Sequence, residues 1–301
     1  MIKPSHYMYL INYGIKTVIF GKKKPIIGCI ILTDRCNLSC RHCSVKNITG
    51  EIYSYSSIIS EMKSMYKRGI RILMFYGGET FLWKDSGKTV RDLVIKAKEM
   101  GFFIVNIVTN GTYPMDVPEA DTILVSLDGS LKSHNIIRGN TYDRILKNIR
   151  ECGSKNICLY MAVNKINRND IFSVGKLAKR EPNIKAVSFN FHTPYPDTKE
   201  LALTKSEKQK CCDMISYMMK KGVPVFNLRT AFPYMVNNTF KKPAYQSIVA
   251  ENGKEWVCGR CIDIDGLCDK CGFFYVCEYS LAFGGNIPVM LDMLFTYMRY
   301  M

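Results

Sequence analysis

The 301-residue chain has no long uninterrupted apolar run, too little acid to balance its base, and no cysteine spacing of a disulfide framework. Residues 1–24, MIKPSHYMYLINYGIKTVIFGKKK, come nearest to a membrane segment, yet Lys16 interrupts the run and no small-residue cleavage site follows it. It is too short and too polar to span a bilayer. Asp and Glu number 26 against 42 Lys and Arg, and the net charge of +16 suits a polyanion, an anionic membrane surface or an acidic substrate. The lysines are spread over many helical segments, as on a solvated surface, and the aromatic or basic motifs of a nucleic-acid reader are missing. Thirteen cysteines make an odd, clustered set, which points to metal in a reducing compartment, the cytoplasm. With 47% apolar residues the chain is not disordered, and its length allows one α/β barrel-like domain or two smaller ones.

What is present is organised around residues 32–45, LTDRCNLSCRHCSV, with Cys36, Cys40 and Cys43 spaced C-x3-C-x2-C. Three thiolates this close can converge on one small inorganic body but cannot complete four-coordination, and thiolates favour iron-sulfur clusters, zinc and Cu(I). Three buried structural thiols or a zinc knuckle are the plainer readings. The triad follows the strand-like run 25–32, PIIGCIIL, and in this position it resembles the signature of the radical S-adenosyl-L-methionine (radical SAM) enzymes. The resemblance implies a [4Fe-4S] cluster on Cys36, Cys40 and Cys43, with the amino and carboxylate groups of SAM on its fourth iron. His42 stands where the family usually has another aromatic residue.

Downstream, apolar runs alternate with helical patterns. Strands are expected over 25–32, 70–76, 102–109, 122–127, 157–163 and 186–191, and helices over 56–69, 88–100, 143–152 and 170–180. Such alternation implies right-handed βαβ units and a parallel sheet whose ligand sites gather at the strands' carboxyl ends. Six strands match the open (β/α)6 partial TIM-like barrel of the family, an α/β fold. Polar turns fall on that side: Gly77, Gly78 and Glu79 after the second run, Asn110 after the third, Ser126 and Asp128 at the fourth, Asn164 after the fifth and His192 after the sixth.

The paired glycines leave room for backbone amides to approach a ligand. By resemblance, Gly77, Gly78 and Glu79 match the stretch that recognises the SAM amino group, with Thr80 replacing a proline. His134, Arg138 and Gly139 match an H-x3-R-G. Asn110, Ser126, Asp128 and Asn164 would then bind SAM, and Arg138 would pair with its carboxylate. For Asp128 alone helix capping is an equal reading, and for Arg138 a surface ion pair.

The tail carries a second metal signal in Cys258, Cys261, Cys268, Cys271 and Cys277, two C-x2-C pairs and a fifth thiol. It resembles the cysteine-rich SPASM or twitch extensions that hold an auxiliary [4Fe-4S] cluster, with zinc as the alternative. The expected division is a basic amphipathic segment 1–24, a barrel core 25–200, a helical connection 201–250, a cysteine-rich region 251–285 and an apolar helix 286–301. Segment 1–24 suits either peripheral contact with a membrane or a helix packed across one end of a barrel.

The function implied is reductive cleavage of SAM to a 5′-deoxyadenosyl radical that abstracts hydrogen from a peptide or lipid substrate. The electron would come from a donor such as flavodoxin or ferredoxin. The competing class is a non-catalytic metal-stabilised module for nucleic acid or another anionic partner.

Overall fold

The computed structural model describes residues 4–43 and 49–300; Lys3, Ser44, Val45 and Met301 lie outside the described residues. The chain runs α1 (Pro4–Val18), β1 (Ile27–Ile31), α2 (Tyr55–Lys67), β2 (Ile72–Tyr76), a short hairpin β3 (Lys84–Asp85) and β4 (Lys88–Thr89), α3 (Val90–Met100), β5 (Ile104–Thr109) and β6 (Thr122–Ser126). It continues through α4 (Leu131–Arg138), α5 (Tyr142–Glu151), β7 (Ile157–Val163), α6 (Ile171–Arg180), β8 (Ile184–Phe191), α7 (Lys205–Lys220) and α8 (Phe232–Asn237). The tail adds β9 (Ser247–Glu251), β10 (Lys254–Val257), α9 (Phe274–Ala282) and α10 (Ile287–Tyr300).

The six expected strands stand side by side and parallel, in the order β1-β2-β5-β6-β7-β8. All five residues of β1 are buried, as a β-branched run in a two-faced sheet requires. The helices carry side-chain caps and glycine stops. Ser54 caps α2, Thr89 and Asp92 form a capping box on α3, Gly101 ends that helix with φ 92°, and Thr204 with Glu207 opens α7. Helix α4, which carries His134 and Arg138, was not foreseen; its eight residues, LKSHNIIR, are too few to establish a period.

The segment 223–257 does more than connect. β9 adds to the sheet parallel to β1, and β10 pairs antiparallel to β9. At the far edge Val225 bridges Val187, and the Asn227 amide clasps Phe189, accepting from its N–H at 2.7 Å and donating to its C=O at 2.9 Å. The β8 edge is thereby covered over Val187–Phe189, and the short β10 becomes the edge on the other side. The sheet remains an open partial barrel of eight strands.

Helix α9 is buried almost all round. Its Tyr275 and Tyr279 lie within electrostatic reach of Cys29 on β1, and its Glu278 of Tyr160 on β7, so it lies across the sheet's inner face. Among the described residues no single helix is long and apolar enough to cross a membrane.

Burial without a facing cation pushes the Glu278 carboxyl up to about 7, although the Leu228 N–H donates to it at 2.8 Å. The folded chain therefore binds this proton more tightly than the unfolded chain, and the stability it confers is lost as pH rises from about 4.5 to about 7. Glu278→Gln is expected to flatten the pH dependence of the urea midpoint across that window; an unchanged slope would show that another group titrates there.

Candidate functional site

β1 delivers the chain into the cysteine loop, and the end of β2 holds that loop by backbone alone. The Gly78 N–H donates to Thr33 C=O at 2.7 Å and the Glu79 N–H to Arg35 C=O at 2.9 Å. A Cβ on Gly77 would fall 2.3 Å from the Thr33 oxygen, and one on Gly78 2.2 Å from that of Arg35. The glycines thus admit the loop itself, and the amides of Gly78 and Glu79 are committed to it. The loop's base is tied further: Asp34 accepts from Thr49 Oγ1 at 2.8 Å and lies 3.6 Å from Arg260, whose guanidinium also bonds both oxygens of Glu251 at 2.9 Å.

Donors from the end of β5, from α4 and from the loop itself reach the sulfurs. Cys36 Sγ accepts from Leu38 N at 3.5 Å and Asn110 Nδ2 at 3.8 Å, while Asn110 also donates to Asn37 Oδ1 at 2.9 Å. Cys40 Sγ accepts from Arg138 Nη1 at 3.7 Å. Arg138 donates through Nε to Asp128, which is fully buried and also accepts the Ala162 N–H at 2.8 Å. His42 Nε2 lies 3.4 Å from Asp128 Oδ2 and 3.4 Å from Arg138 Nη2, and its ring meets that of His192 edge-on at 6.2 Å.

Burial pushes the Cys40 thiol up to about 11, with Arg138 pulling the other way. Burial raises Asp128 too, but Arg138, His42 and the Ala162 amide outweigh it and hold the carboxyl below its usual range. His134, driven down to about 4 by burial and by Arg138, is neutral; its Nδ1 accepts the Asp128 N–H at 3.1 Å, so Nε2 carries the proton toward Thr141 Oγ1 at 3.0 Å.

Among the described residues no three His, Cys, Asp or Glu side chains are gathered closely enough to hold one metal ion. The donor set nonetheless fits a thiolate-bound cluster: Cys40 feels the charges of Cys36 and Cys43, and N–H donors reach the sulfurs of Cys36 and Cys40.

The remaining residues singled out from the sequence are placed as follows. Glu79 is fully buried and takes Thr109 Oγ1 at 2.6 Å, Asn110 N at 2.7 Å and Phe81 N at 3.0 Å. Ser126 ends β6, buried, two residues before Asp128. Asn164 holds the turn after β7, accepting Ile166 N at 2.9 Å and donating to Ala162 C=O at 3.1 Å. Asn37, which anchors Asn110, was not singled out; between two cysteines it carries no pattern that marks it.

In the tail, Cys258, Cys261, Cys268 and Cys271 are electrostatic neighbours of one another, and burial pushes Cys261 up to about 11 and Cys271 up to about 12. Cys277 stands apart from the other three, facing Cys271 and the Ala231 C=O at 3.7 Å from within α9. The set docks at the end of β8, where Gly272 C=O accepts the Phe191 N–H at 2.9 Å and Gly272 N donates to Thr193 Oγ1 at 3.0 Å.

Three protein donors are spent on Glu79, and they tie the end of β2 to that of β5. Glu79→Ala should lower unfolding free energy by about 3 kcal/mol, since each stranded buried donor costs ~1–3 kcal/mol before relaxation. An unmoved urea midpoint with weakened SAM binding would instead assign the carboxylate to a ligand ammonium.

Comparison with known proteins agrees with this geometry. A 7,8-dihydro-6-hydroxymethylpterin dimethyltransferase of Methanocaldococcus jannaschii is 28% identical over 193 residues, 56% of this chain and 37% of that protein. An Fe-coproporphyrin III synthase of Methanosarcina barkeri is 30% identical over 194 residues, 58% of this chain and 46% of that protein. The chain thus matches less than half the length of either relative. Among solved structures, Streptococcus suis SuiB bound to its precursor peptide SuiA shares the fold, with a TM-score of 0.64 at 16% identity over 94% of this chain and 70% of that one. Residues 30–178, from β1 into α6, match the radical SAM superfamily. The chain belongs to the radical SAM superfamily.

Proposed function

We propose that the chain is a radical SAM enzyme acting on a peptide, with Cys36, Cys40 and Cys43 holding the SAM-binding [4Fe-4S] cluster and Cys258, Cys261, Cys268 and Cys271 an auxiliary one. The observation that carries this reading is the three-thiol loop suspended over the strand ends, with Asn110 donating to Cys36 and Arg138 to Cys40. When bound, cluster and SAM supply reductive cleavage of the sulfonium to methionine and a 5′-deoxyadenosyl radical that takes hydrogen from a substrate carbon.

The chain's own residues fix positions. Gly77 and Gly78 seat the loop, Asp128 orients Arg138, and Arg138 favours the ionised form of Cys40. Three cysteines leave an iron open for SAM, whereas four from the tail leave none, so the tail set suits electron passage or ordering of the substrate. Cys277 is a core thiol in this reading.

Two observations favour a peptide over a lipid. The fold likeness to SuiB, a protein seen bound to a precursor peptide, extends over 94% of the chain and so takes in the tail. The helices α1 and α10 of the apolar chain ends, the sequence's reason for a lipid, pack against the strands' amino ends, opposite the cysteine loop. An acidic one-electron carrier of the flavodoxin or ferredoxin kind suits the net charge of +16, and the clustered free thiols suit the reducing cytoplasm.

Anaerobic incubation with SAM and dithionite should release 5′-deoxyadenosine, and Cys36→Ala, Cys40→Ala or Cys43→Ala should each abolish it. Undiminished product from any of the three would refute the assignment. Reconstituted protein should carry about eight irons, and the variant lacking all three loop thiols about four, counting four per cubane. Cys277→Ala should keep them all. A loop variant that is colourless and binds one zinc would make the tail a structural clip.

A further inference from the structure

Two helices at the ends of the described chain each leave an apolar flank in solvent. On α1 this flank is Met8, Ile11 and Ile15, continued by Ile19, at 73%, 63%, 44% and 70% exposure. On α10 it is Leu291, Leu294, Phe295 and Met298, at 50%, 49%, 66% and 65%. Both sets recur at helical spacing, and Lys16 and Arg299 are the only fully charged side chains exposed along the two described helices.

Their placement joins them into one surface. α1 crosses the start of the sheet: His6 stacks on Phe103 just before β5, Tyr9 OH donates to Gly69 C=O before β2 at 2.6 Å, and Tyr13 OH to Lys24 C=O before β1 at 2.6 Å. At its far end Val18 reaches Gly285, two residues before α10 begins, and α10 runs on until Tyr300 packs against Cys158 and Ala186, early in β7 and β8. The two flanks therefore lie across the strands' amino ends, opposite the cysteine loop.

Basic charge borders this surface. Lys16, Lys22, Lys24, Lys67 and Arg68 line a cleft of about 280 Å³ along α1, and Lys23 is exposed beside them. An apolar face rimmed by lysine complements an anionic bilayer, whose acyl boundary takes the stripe while headgroups meet the ammonium groups.

We propose that the face formed by α1 and α10 docks the enzyme on an anionic lipid surface, with the cysteine loop turned away toward water. The bilayer is then an anchor, and substrate reaches the site from the aqueous side. The proposal is independent of which molecule the enzyme modifies.

Vesicle flotation of the full chain, purified anaerobically with its iron, tests it. The protein should float with phosphatidylcholine–phosphatidylglycerol vesicles and stay below with phosphatidylcholine alone, and added salt should weaken the binding. Changing Lys22, Lys23 and Lys24 to Gln should lower the partition coefficient roughly a hundredfold, taking each lysine as worth about a factor of five. Ile15→Asn with Phe295→Asn should abolish flotation while iron content and far-ultraviolet circular dichroism stay unchanged. No flotation with the anionic vesicles, or flotation that both sets of changes leave intact, overturns the proposal. So does sedimentation equilibrium showing a dimer that Ile15→Asn and Phe295→Asn dissociate in a chain that never floats, which would assign the face to a second copy.

Discussion

The close approach of two backbones, Thr33 to Arg35 of the cysteine loop and Gly77 to Glu79 at the end of β2, is the constraint on which the site depends. Its two inter-backbone hydrogen bonds are worth only about 1 kcal/mol each in net stability, so its importance is steric rather than energetic. No side chain other than hydrogen fits at Gly77 or Gly78, and with the loop seated there Cys36 comes under Asn110 and Cys40 under Arg138. Glu79 completes the arrangement from below by tying the same turn to the end of β5. Three strand ends are thus locked to one loop before any cofactor enters.

Buried charge is handled there by pairing. Asp128 and Arg138 would each be costly alone, and together with the Ala162 amide they leave the guanidinium directed at a thiol. Such a pair contributes orientation more than stability, because desolvating both ions cancels much of their attraction. The neutral imidazole of His134 fixes the Asp128 backbone without adding a second positive charge beside Arg138. Arg260 plays a comparable part between the two cysteine regions, since it pairs with Asp34 in the loop and Glu251 on β9 while lying between Cys258 and Cys261.

The molecule's two ends divide the work. Polar turns and thiols gather where the parallel strands finish, and helices with open apolar flanks close the end where they start. This follows from right-handed βαβ winding, which places all the strand-to-helix turns on one side and leaves the other for packing or docking. The helix α9 laid across the inner face joins the two, with Glu278 buried between them.

The amino-acid sequence by itself determined what depends on neighbours along the chain. The three-cysteine spacing, the buried run of β1, the six parallel strands and the four helices between them were all legible, most of them to within two residues. Strand β9 was not, because SIVAE lies in a stretch without periodicity and becomes a strand only by pairing with β1. Tertiary structure alone decided the partners. Arg138 spans Asp128 and Cys40, the latter 98 residues away, a pairing that no local spacing shows. Of the five tail thiols, Cys277 is set within α9 facing the Ala231 C=O, a placement its spacing from Cys271 does not reveal. The physical reason is range: residue spacing dictates what a loop or helix can present, whereas which group meets it from a distant strand is settled only when the sheet closes around a common core.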